Sequence, residues 1–258
     1  IGDFTIINNT LFFTGYFYSF HFNGDQSIGK ADLINGTIDQ SWTPDITLGF
    51  RKIIAGTDMF YYIEQVTGGY KLRRFNLTAN QTDENWAIGI SGGNVTEYLL
   101  EDDYIYLFGN FYTINDDNDS FSRTRAAKII ISETTVDEDW KPSFNQSVST
   151  AQLLGNDIFV GGNFAKINNE DISYIAKISK NNGVADENWR PVLNAHVSNL
   201  YAENQTVIVN GGFTSAGGHR IKHLARINNE TKEVDEKWNF NINERVECII
   251  KDGDFLYI

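Results

Sequence analysis

All five tryptophans of this chain close the same short phrase, and this regularity constrains the fold more than any other feature. The phrase reads Asp-x-x-Trp, and it recurs at spacings of 44, 54, 49 and 49 residues to end at Trp42, Trp86, Trp140, Trp189 and Trp238. The last two phrases close two longer stretches of similar sequence, 161–189 and 210–238. Self-similarity with a period in the forties is the signature of a repeat architecture. We therefore predict that the chain repeats one small structural unit.

Each repeat contains four segments with the pattern of short β-strands. In the fourth repeat the segments STAQLLG, DIFVGGNF, SYIAKIS and ADENWRPV are separated by Asn, Asp and Gly residues that favour turns. Four strands in a unit of about 45 residues are typical of one blade of a β-propeller. We predict an all-β chain, a β-propeller of four-stranded antiparallel blades. In third strands such as AAKII, the alternation places Ala and Ile inward and Lys or Arg outward.

A Gly-x-Phe phrase marks the second strand in four of the units. Glycine inside a strand indicates a bulge or a close backbone approach. The phenylalanine lies two residues further on the same face, so we expect four of them in the core: Phe17, Phe111, Phe164 and Phe213. Unit two lacks the phrase and has a shorter middle hairpin, which predicts a compact and less regular blade.

Alignment of the repeats divides residues 1–258 into five blades and the start of a sixth, within one propeller segment. The boundaries fall near 1–48, 49–94, 95–148, 149–196, 197–243 and 244–258. The final segment ECIIKDGDFLYI matches EYLLEDDYIYLF of unit three and stops where a further Gly-x-Phe is expected. We therefore expect a fragment of a longer chain. Cys248 is predicted to be a buried apolar residue on the first strand of unit six, and the alternative is that it pairs with a partner beyond this segment.

These phrases resemble the delta-sixty repeat, a bacterial and protist family of secreted propeller repeats. Its pattern combines a Gly-Gly-x-Phe strand, an Ala-x-Leu strand and an Asp-x-x-aromatic strand. The resemblance covers the whole chain and is strongest in units three to five. A more distant similarity is to quinoprotein propellers, in which an alanine strand, a glycine turn and a tryptophan recur at like spacing. The resemblance implies a propeller at a surface location, and it supplies no catalytic residues.

Composition and charge exclude several classes of function. The formal net charge of -13 repels phosphate backbones, and no local basic patch strong enough to overcome it is present, so nucleic acid is not an expected partner. No apolar run reaches the roughly 18 residues that a membrane-spanning helix needs. A single cysteine provides no disulfide framework within this segment.

The Asn-x-Ser/Thr sequence for N-glycosylation occurs nine times, where chance would give roughly three to four. The nine sites are Asn8, Asn35, Asn76, Asn80, Asn94, Asn118, Asn145, Asn204 and Asn229. All fall in predicted turns or links between blades. The alternative is that Asn, Ser and Thr coincide there because each favours turns. We favour a glycoprotein that is exported through a eukaryotic secretory pathway to the cell surface or the extracellular space.

Residues 149–196 carry no sequon, and on one predicted face this bare zone extends through unit five. Basic and polar residues concentrate there in an otherwise acidic chain: Lys166, Asn168, Arg190, His196, His219, Arg220, Lys222 and His223. We predict that this zone binds a partner with an acidic surface or an acidic glycan. The alternative is a polar hairpin tip. A zinc site is disfavoured because no third ligand is offered at a recognisable spacing.

Two further groups of acidic residues are better explained by structure than by metal binding or catalysis. Asn115, Asp117 and Asp119 alternate as calcium ligands would, but the glycine and distal glutamate of an EF-hand are missing, so a solvated acidic loop is favoured. The aspartates of Asp-x-x-Trp recur in every unit, whereas a catalytic residue is normally singular. We interpret them as acceptors in turns or between blades, and the tryptophans as inter-blade packing.

The combined prediction is a module that is not an enzyme and needs no cofactor. It is a rigid glycosylated scaffold for protein–protein or adhesive contacts, or for self-assembly, in a surface coat, matrix or appendage. The alternative is a glycan-binding or sialidase-like propeller. Sialidases need an arginine cluster or a singular carboxylate pair, and the arginines of this chain share no common position in the repeats.

Overall fold

The computed structural model describes residues 3–15, 28–46, 52–244, 246–253 and 255–258. This part of the chain folds into short antiparallel strands and contains no helix. Strands of one unit pair mainly with each other, so that the chain forms a succession of small sheets in sequence order. The all-β prediction is confirmed.

The strands follow one another in each unit as the repeat predicts. Unit one contains β1 (Asp3–Ile7), β2 (Thr10–Thr14) and β3 (Ile28–Asp32). Unit two contains β4 (Ile53–Ala55), β5 (Met59–Val66), β6 (Gly69–Asn76) and β7 (Gln81–Ser91). Unit three contains β8 (Val95–Glu101), β9 (Tyr104–Gly109), β10 (Thr113–Asn115), β11 (Ser120–Ser122), β12 (Ala126–Ile130) and β13 (Thr135–Val136).

The later units are built on the same plan with fewer strands. Unit four contains β14 (Val148–Leu154), β15 (Asp157–Gly162) and β16 (Ile175–Ser179). Unit five contains β17 (Val197–Glu203), β18 (Thr206–Gly211) and β19 (Leu224–Asn228). A final hairpin consists of β20 (Ile250–Asp252) and β21 (Phe255–Tyr257). In every unit the first strand pairs with the second and the second with the third.

Unit two is the most fully paired sheet in the described chain, contrary to the expectation of an irregular one. Its four strands are joined by the hairpin β10–β11 of unit three, which pairs with β7 and gives a six-stranded sheet. Ile114 of the hairpin lies opposite Ile90, and both are buried. Without the longer middle connection of the other units, β5 and β6 meet across a two-residue turn and pair along their full length. The shorter connection therefore makes the sheet more regular.

The Gly-x-Phe phrase has the predicted role in units three to five. Phe111, Phe164 and Phe213 are completely buried, while Phe17 lies outside the described residues. The glycine allows a close approach of the chain that enters the first strand. A Cβ added to Gly162 would lie 2.3 Å from the carbonyl oxygen of Ser147, and the equivalent glycines are equally crowded. The register of β14 against β15 shifts at this point, as expected for a bulge.

The fourth strand is shorter than predicted. It is paired over two residues in unit three, and in units one, four and five it is reduced to a single bridge, such as Ile178 to Ala185. The aspartate of Asp-x-x-Trp makes a turn in all five units, because its side chain accepts a hydrogen bond from the backbone two residues later. Asp186 accepts from Asn188 N–H at 3.0 Å in this way. Such a turn competes with the strand ladder. In unit two β7 still pairs with β6 on both sides of this turn, with a shift of register, so the turn alone does not end the strand.

The tryptophans pack between successive sheets, as predicted. Trp189 stacks edge-on against Phe159 of its own unit, and its indole N–H donates to Asn228 O of the next unit at 3.4 Å. Trp86 and Trp140 donate in the same way to Ile131 O and Ser179 O, at 2.9 and 3.1 Å. Each apolar cluster of the core accordingly contains residues of two neighbouring units.

The final hairpin is the least covered part of the described chain. Ile250, Phe255 and Tyr257 are each more than half exposed, at 58, 69 and 55%. Cys248 is exposed and precedes β20, so the prediction of a buried cysteine on a strand is wrong. The reason is that β20 pairs with β21 alone, and no further described sheet packs over this end.

Candidate functional site

The aspartate of each repeated phrase forms an ion pair inside its own unit. In all five units the partner is the cation of the third-strand segment, nine positions earlier in the chain. The pairs are Lys30–Asp39, Arg74–Asp83, Lys128–Asp137, Lys177–Asp186 and Arg226–Asp235. Sequence reasoning predicted the acceptor role in a turn but missed the ion pair. The third-strand cations face away from the core, yet the aspartate covers them, and the Lys128 side chain is only 8% exposed.

These ion pairs keep the aspartates ionised. A hydrogen bond from the paired cation lowers the pKa of Asp83, Asp186 and Asp235 below its usual value. For Asp39 the hydroxyl of Ser41 is the main cause of the lowered pKa, with Lys30 contributing. Burial opposes the ionisation of Asp137, but Lys128 lowers its pKa overall. A carboxylate held in its charged form serves as a structural anion and is a poor proton donor.

A second charged cluster links the first strands of units one to three. The Asp3 carboxylate accepts from Ile53 N–H at 2.9 Å, and Lys52 forms an ion pair with Glu97. Burial raises the pKa of both Asp3 and Glu97. The later first strands are linked both by neutral groups, such as the Thr96 hydroxyl donating to Val148 O at 2.6 Å, and by one further ion pair, between Lys251 and Glu203. Sequence reasoning missed the charged cluster because the residue type at this position changes from unit to unit.

The nine glycosylation candidates all lie outside the buried core. Six are exposed, three are half-buried and none is buried. Eight lie in turns or links, and Asn76 is the last residue of β6. Asn204 and Asn229 are in contact, because the Asn229 amide donates to the Asn204 carbonyl. The hairpin after β17 and the turn after β19 are therefore neighbours.

Three cations of the predicted partner-binding zone are already paired with carboxylates. The Lys166 ammonium lies 2.8 Å from the Asp171 carboxylate. The Arg190 guanidinium lies 3.8 Å from the carboxylates of both Glu170 and Glu187. Nε2 of His219 lies 2.9 Å from the Glu236 carboxylate. These pairs reduce the positive charge that the zone was predicted to present.

Three other members of the zone have roles within the fold. The Asn168 side chain accepts from Ser143 N–H at 2.9 Å, and the His196 ring lies against Gly212. His223 has a positive φ of 64° and accepts a hydrogen bond from Gly211 N–H through its carbonyl. Tyr174 has the same φ region and the same bond in unit four, so this position serves the backbone in both units.

Arg220 and Lys222 are the members of the zone that remain open to a ligand. Neither side chain has an ion-pair or hydrogen-bond partner among the described residues. Together they line a pocket of about 230 Å³ whose other walls come from the link after Trp238: Asn239, Asn241, Ile242 and Asn243. Sequence reasoning identified both cations, but the asparagines opposite them were not predicted.

The predicted calcium candidates lie on the hairpin β10–β11. Asn115 ends β10, and Asp117 and Asp119 follow it in the exposed turn. The carboxylate that organises the turn is Asp116, which accepts from the backbone N–H groups of Asn118 and Asp119, each at 2.9 Å. Within the described ranges no three His, Cys, Asp or Glu side chains converge as metal ligands would. A search of the same ranges finds no helix with the length and apolar character to span a bilayer.

Comparison with known proteins gives similarity in structure alone. No family model matches the sequence, and no curated protein matches it. The chain is similar to the crystal structure of the computationally designed Ika8 protein, with a TM-score of 0.61, 9% identity and coverage of 98% of this chain and 66% of that one. It is also similar to the Neurospora crassa Pan2 WD40 domain, with a TM-score of 0.53, 13% identity and coverage of 87% and 60%. The chain thus spans about two thirds of each structure or less, and the likeness supports a propeller-like fold.

Proposed function

We propose that this chain is a β-propeller segment of five blades and the start of a sixth, acting as a rigid, non-enzymatic scaffold in an extracellular glycoprotein. One observation carries the proposal. The most regular polar chemistry of the sequence, the cation–aspartate pair and the tryptophan indole, is used in unit after unit to build and join the sheets. Residues repeated in this way stabilise a repeat architecture and do not form a singular catalytic site.

The joints between sheets favour a stiff scaffold. Trp140 is completely buried, contacts Tyr106 and Phe108 of its own unit and donates to the next unit. Aromatic pairs of this kind are each worth about 0.5–1.5 kcal/mol beyond the area they bury. A scaffold stiffened in this way presents its loops in fixed positions, which lowers the entropic cost of binding.

The location rests on the nine sequons. Their excess over chance and their accessible positions support export and glycosylation. Asn210, which is completely buried on β18, is not part of a sequon. Branched glycans exclude protein partners from the area they cover, so we assign partner contacts to the sequon-free surface of units four and five around Arg220 and Lys222.

The test uses protein from its native source. Intact mass before and after glycosidase treatment should show loss of several glycans, and peptide mapping should locate them among the nine sequons. Chemical cross-linking in the native assembly should place partner contacts on the links and middle hairpins of units four and five. An unmodified protein would contradict export by this route, and cross-links centred on units one and two would contradict the contact surface.

A further inference from the structure

Units four and five have aligned middle loops with opposite charge. The offset of 49 residues between Trp189 and Trp238 also relates Glu170 to His219, Asp171 to Arg220 and Ser173 to Lys222. The backbone is the same in both loops, since Ile167 bridges to Glu170 as Ala216 bridges to His219. The two loops therefore differ mainly in the charge of their side chains.

In unit four the loop charges are satisfied within the chain. Asp171 pairs with Lys166, and Glu170 lies 3.8 Å from Arg190 of the link that follows the unit. Arg190 also donates to the Asp171 carbonyl at 3.2 Å. This loop has no unmatched charge of either sign that would attract a ligand.

In unit five only one of the three equivalent side chains has a charged partner within the described chain. Asn239 replaces Arg190 and donates to the Arg220 carbonyl at 3.2 Å, which preserves the contact between loop and link. His219 lies beside the Glu236 carboxylate, with 2.9 Å between Nε2 of the ring and the nearer carboxylate oxygen. The guanidinium of Arg220 and the ammonium of Lys222 are left without a carboxylate among the described residues, and both line the same pocket.

The link after Trp238 supplies uncharged hydrogen-bonding groups to the lining of the pocket. The Asn239 amide is used within the fold, since it donates to Arg220 O and accepts from Asn241 N–H at 3.1 Å. The side chains of Asn241 and Asn243 are exposed and make no hydrogen bond to a described residue. Each carries both a donor and an acceptor. The lining of the pocket thus includes two cations from the middle loop and two asparagine amides from the link, none of them bonded to a described residue.

We propose that this pocket binds a single acidic sugar residue. Arg220 and Lys222 hold its carboxylate or sulfate, and the amides of Asn241 and Asn243 bind its hydroxyl groups. An amide suits a pair of neighbouring hydroxyls because it can donate to one and accept from the other. The guanidinium of Arg220 can bind the two oxygens of the acid group together.

Size and charge favour this ligand over larger anions. A volume of about 230 Å³ is below the roughly 300 Å³ at which pockets for drug-sized ligands begin, and it suits one sugar ring. The formal net charge of -13 repels a polyanion such as nucleic acid or a long sulfated chain, whereas a ligand with one charge experiences mainly the local cations. The pocket lies on the surface that we assign to partner contacts. Its biological role, though not its ability to bind a sugar, rests on that proposed function.

The test is calorimetric titration of the full chain with small probes, which needs neither a partner nor glycosylation and so can fail independently of the proposed function. The acidic probes are the methyl glycosides of N-acetylneuraminic acid and glucuronic acid, and glucose 6-sulfate. The controls are methyl glucoside, which lacks the acid, and acetate, which lacks the sugar. We expect at least one acidic sugar to bind about tenfold or more tightly than both controls. The affinity for the glucuronide is then compared with the affinity for glucose 6-sulfate, and the tighter of the two shows whether the pocket prefers a carboxylate or a sulfate.

Variants identify the binding groups. Arg220→Gln combined with Lys222→Gln should weaken acidic-sugar binding about tenfold or more, because charged hydrogen bonds are lost. Asn243→Ala, at an exposed side chain that lines the pocket and whose backbone φ is not positive, should weaken it less and should leave the thermal unfolding curve unchanged. Lys141→Gln is the matched control, since Lys141 directly follows Trp140 as Asn239 follows Trp238 and does not line the pocket. Its binding should equal that of the unmodified chain.

Three results would overturn the proposal. If acetate binds as tightly as the acidic sugars, the pocket is a simple anion site. If the Lys141→Gln variant loses affinity as the double variant does, the binding reflects general charge. If no acidic sugar binds while an acidic peptide does, the pocket is part of a protein interface only.

Discussion

Units two and four bury their tryptophans in the same way but differ in strand length, in the middle connection and in the fourth strand. Unit two has eight-residue strands joined by a tight turn, and its sheet is widened by a hairpin from unit three. Unit four has a long middle connection, a Gly-x-Phe bulge and a fourth strand reduced to one bridge. Yet Trp86 and Trp189 are 1% and 2% exposed, and both donate to the next unit. The contact between sheets is therefore the conserved requirement of the repeat, and the middle connection is free to vary.

The largest expected effect tests that shared contact. Trp86→Ala and Trp189→Ala should each lower the free energy of unfolding by about 3–5 kcal/mol, the usual cost of removing a buried tryptophan. Trp238 is half-buried, and its substitution by Ala should cost clearly less. Chemical denaturation followed by circular dichroism measures all three. Equal losses at Trp238 and Trp189, or a small loss at Trp86, would break the comparison.

A smaller effect is expected at the bulge that unit two lacks. Gly162→Ala places a Cβ against the Ser147 carbonyl and forces the backbone to shift, which should cost about 1–3 kcal/mol. Asn163→Ala, at the exposed next residue, is the control and should change stability by less than about 0.5 kcal/mol. Both values come from the same denaturation experiment. A neutral Gly162→Ala would show that the glycine is not required for the close approach.

The smallest effect is the dependence of stability on pH, and it separates the two charged systems. The lowered pKa of Asp83 and Asp186 means that their ionised forms stabilise the fold above the ordinary value of 3.8, and this contribution is lost as the pH falls below it. The raised pKa of Asp3 and Glu97 acts in the opposite direction, because protonation at acidic pH relieves the cost of their burial.

Unfolding measured across the acidic range should distinguish the two systems by substitution. Glu97→Gln, in the first-strand cluster, should remove the gain on acidification, while Asp186→Asn should reduce the loss at the lowest pH. Asp157→Asn provides a control, since Asp157 begins β15 and forms no described ion pair. If Glu97→Gln changes only the loss at the lowest pH, its assignment to the cluster with the raised pKa is wrong.

The sequence predicts the parts of this fold that depend on local pattern. Tryptophan spacing, strand alternation and Gly-x-Phe lead to the right strand order and to Phe111, Phe164 and Phe213 in the core. The ion pair between the third-strand cation and the aspartate could have been found too, because its offset is the same in all five units. The shortened fourth strand of the other units was missed, and the aspartate turn does not by itself account for it, because unit two makes the same turn within a full-length β7.

The rest depends on contacts between units, which no local pattern encodes. The Asp3–Lys52–Glu97 cluster joins three units through the same position of each first strand, but the residue type differs in each unit, so no repeated motif marks it. The pocket beside Arg220 and Lys222 needs the course of the link after Trp238, where the asparagines have no distinctive spacing. The addition of β10–β11 to the sheet of unit two also depends on tertiary packing, since the hairpin belongs by sequence to unit three.

The pairing of the β10–β11 hairpin of unit three with the sheet of unit two has a mechanical consequence. Repeat arrays tend to lose their units one at a time, since each unit contacts only its neighbours. Here the backbone ladder runs from β4 of unit two to β11 of unit three, so unit two cannot peel away without breaking hydrogen bonds to its neighbour's chain. Under a pulling force, units two and three should therefore yield together in one large extension step, whereas units four and five should yield in separate, smaller steps.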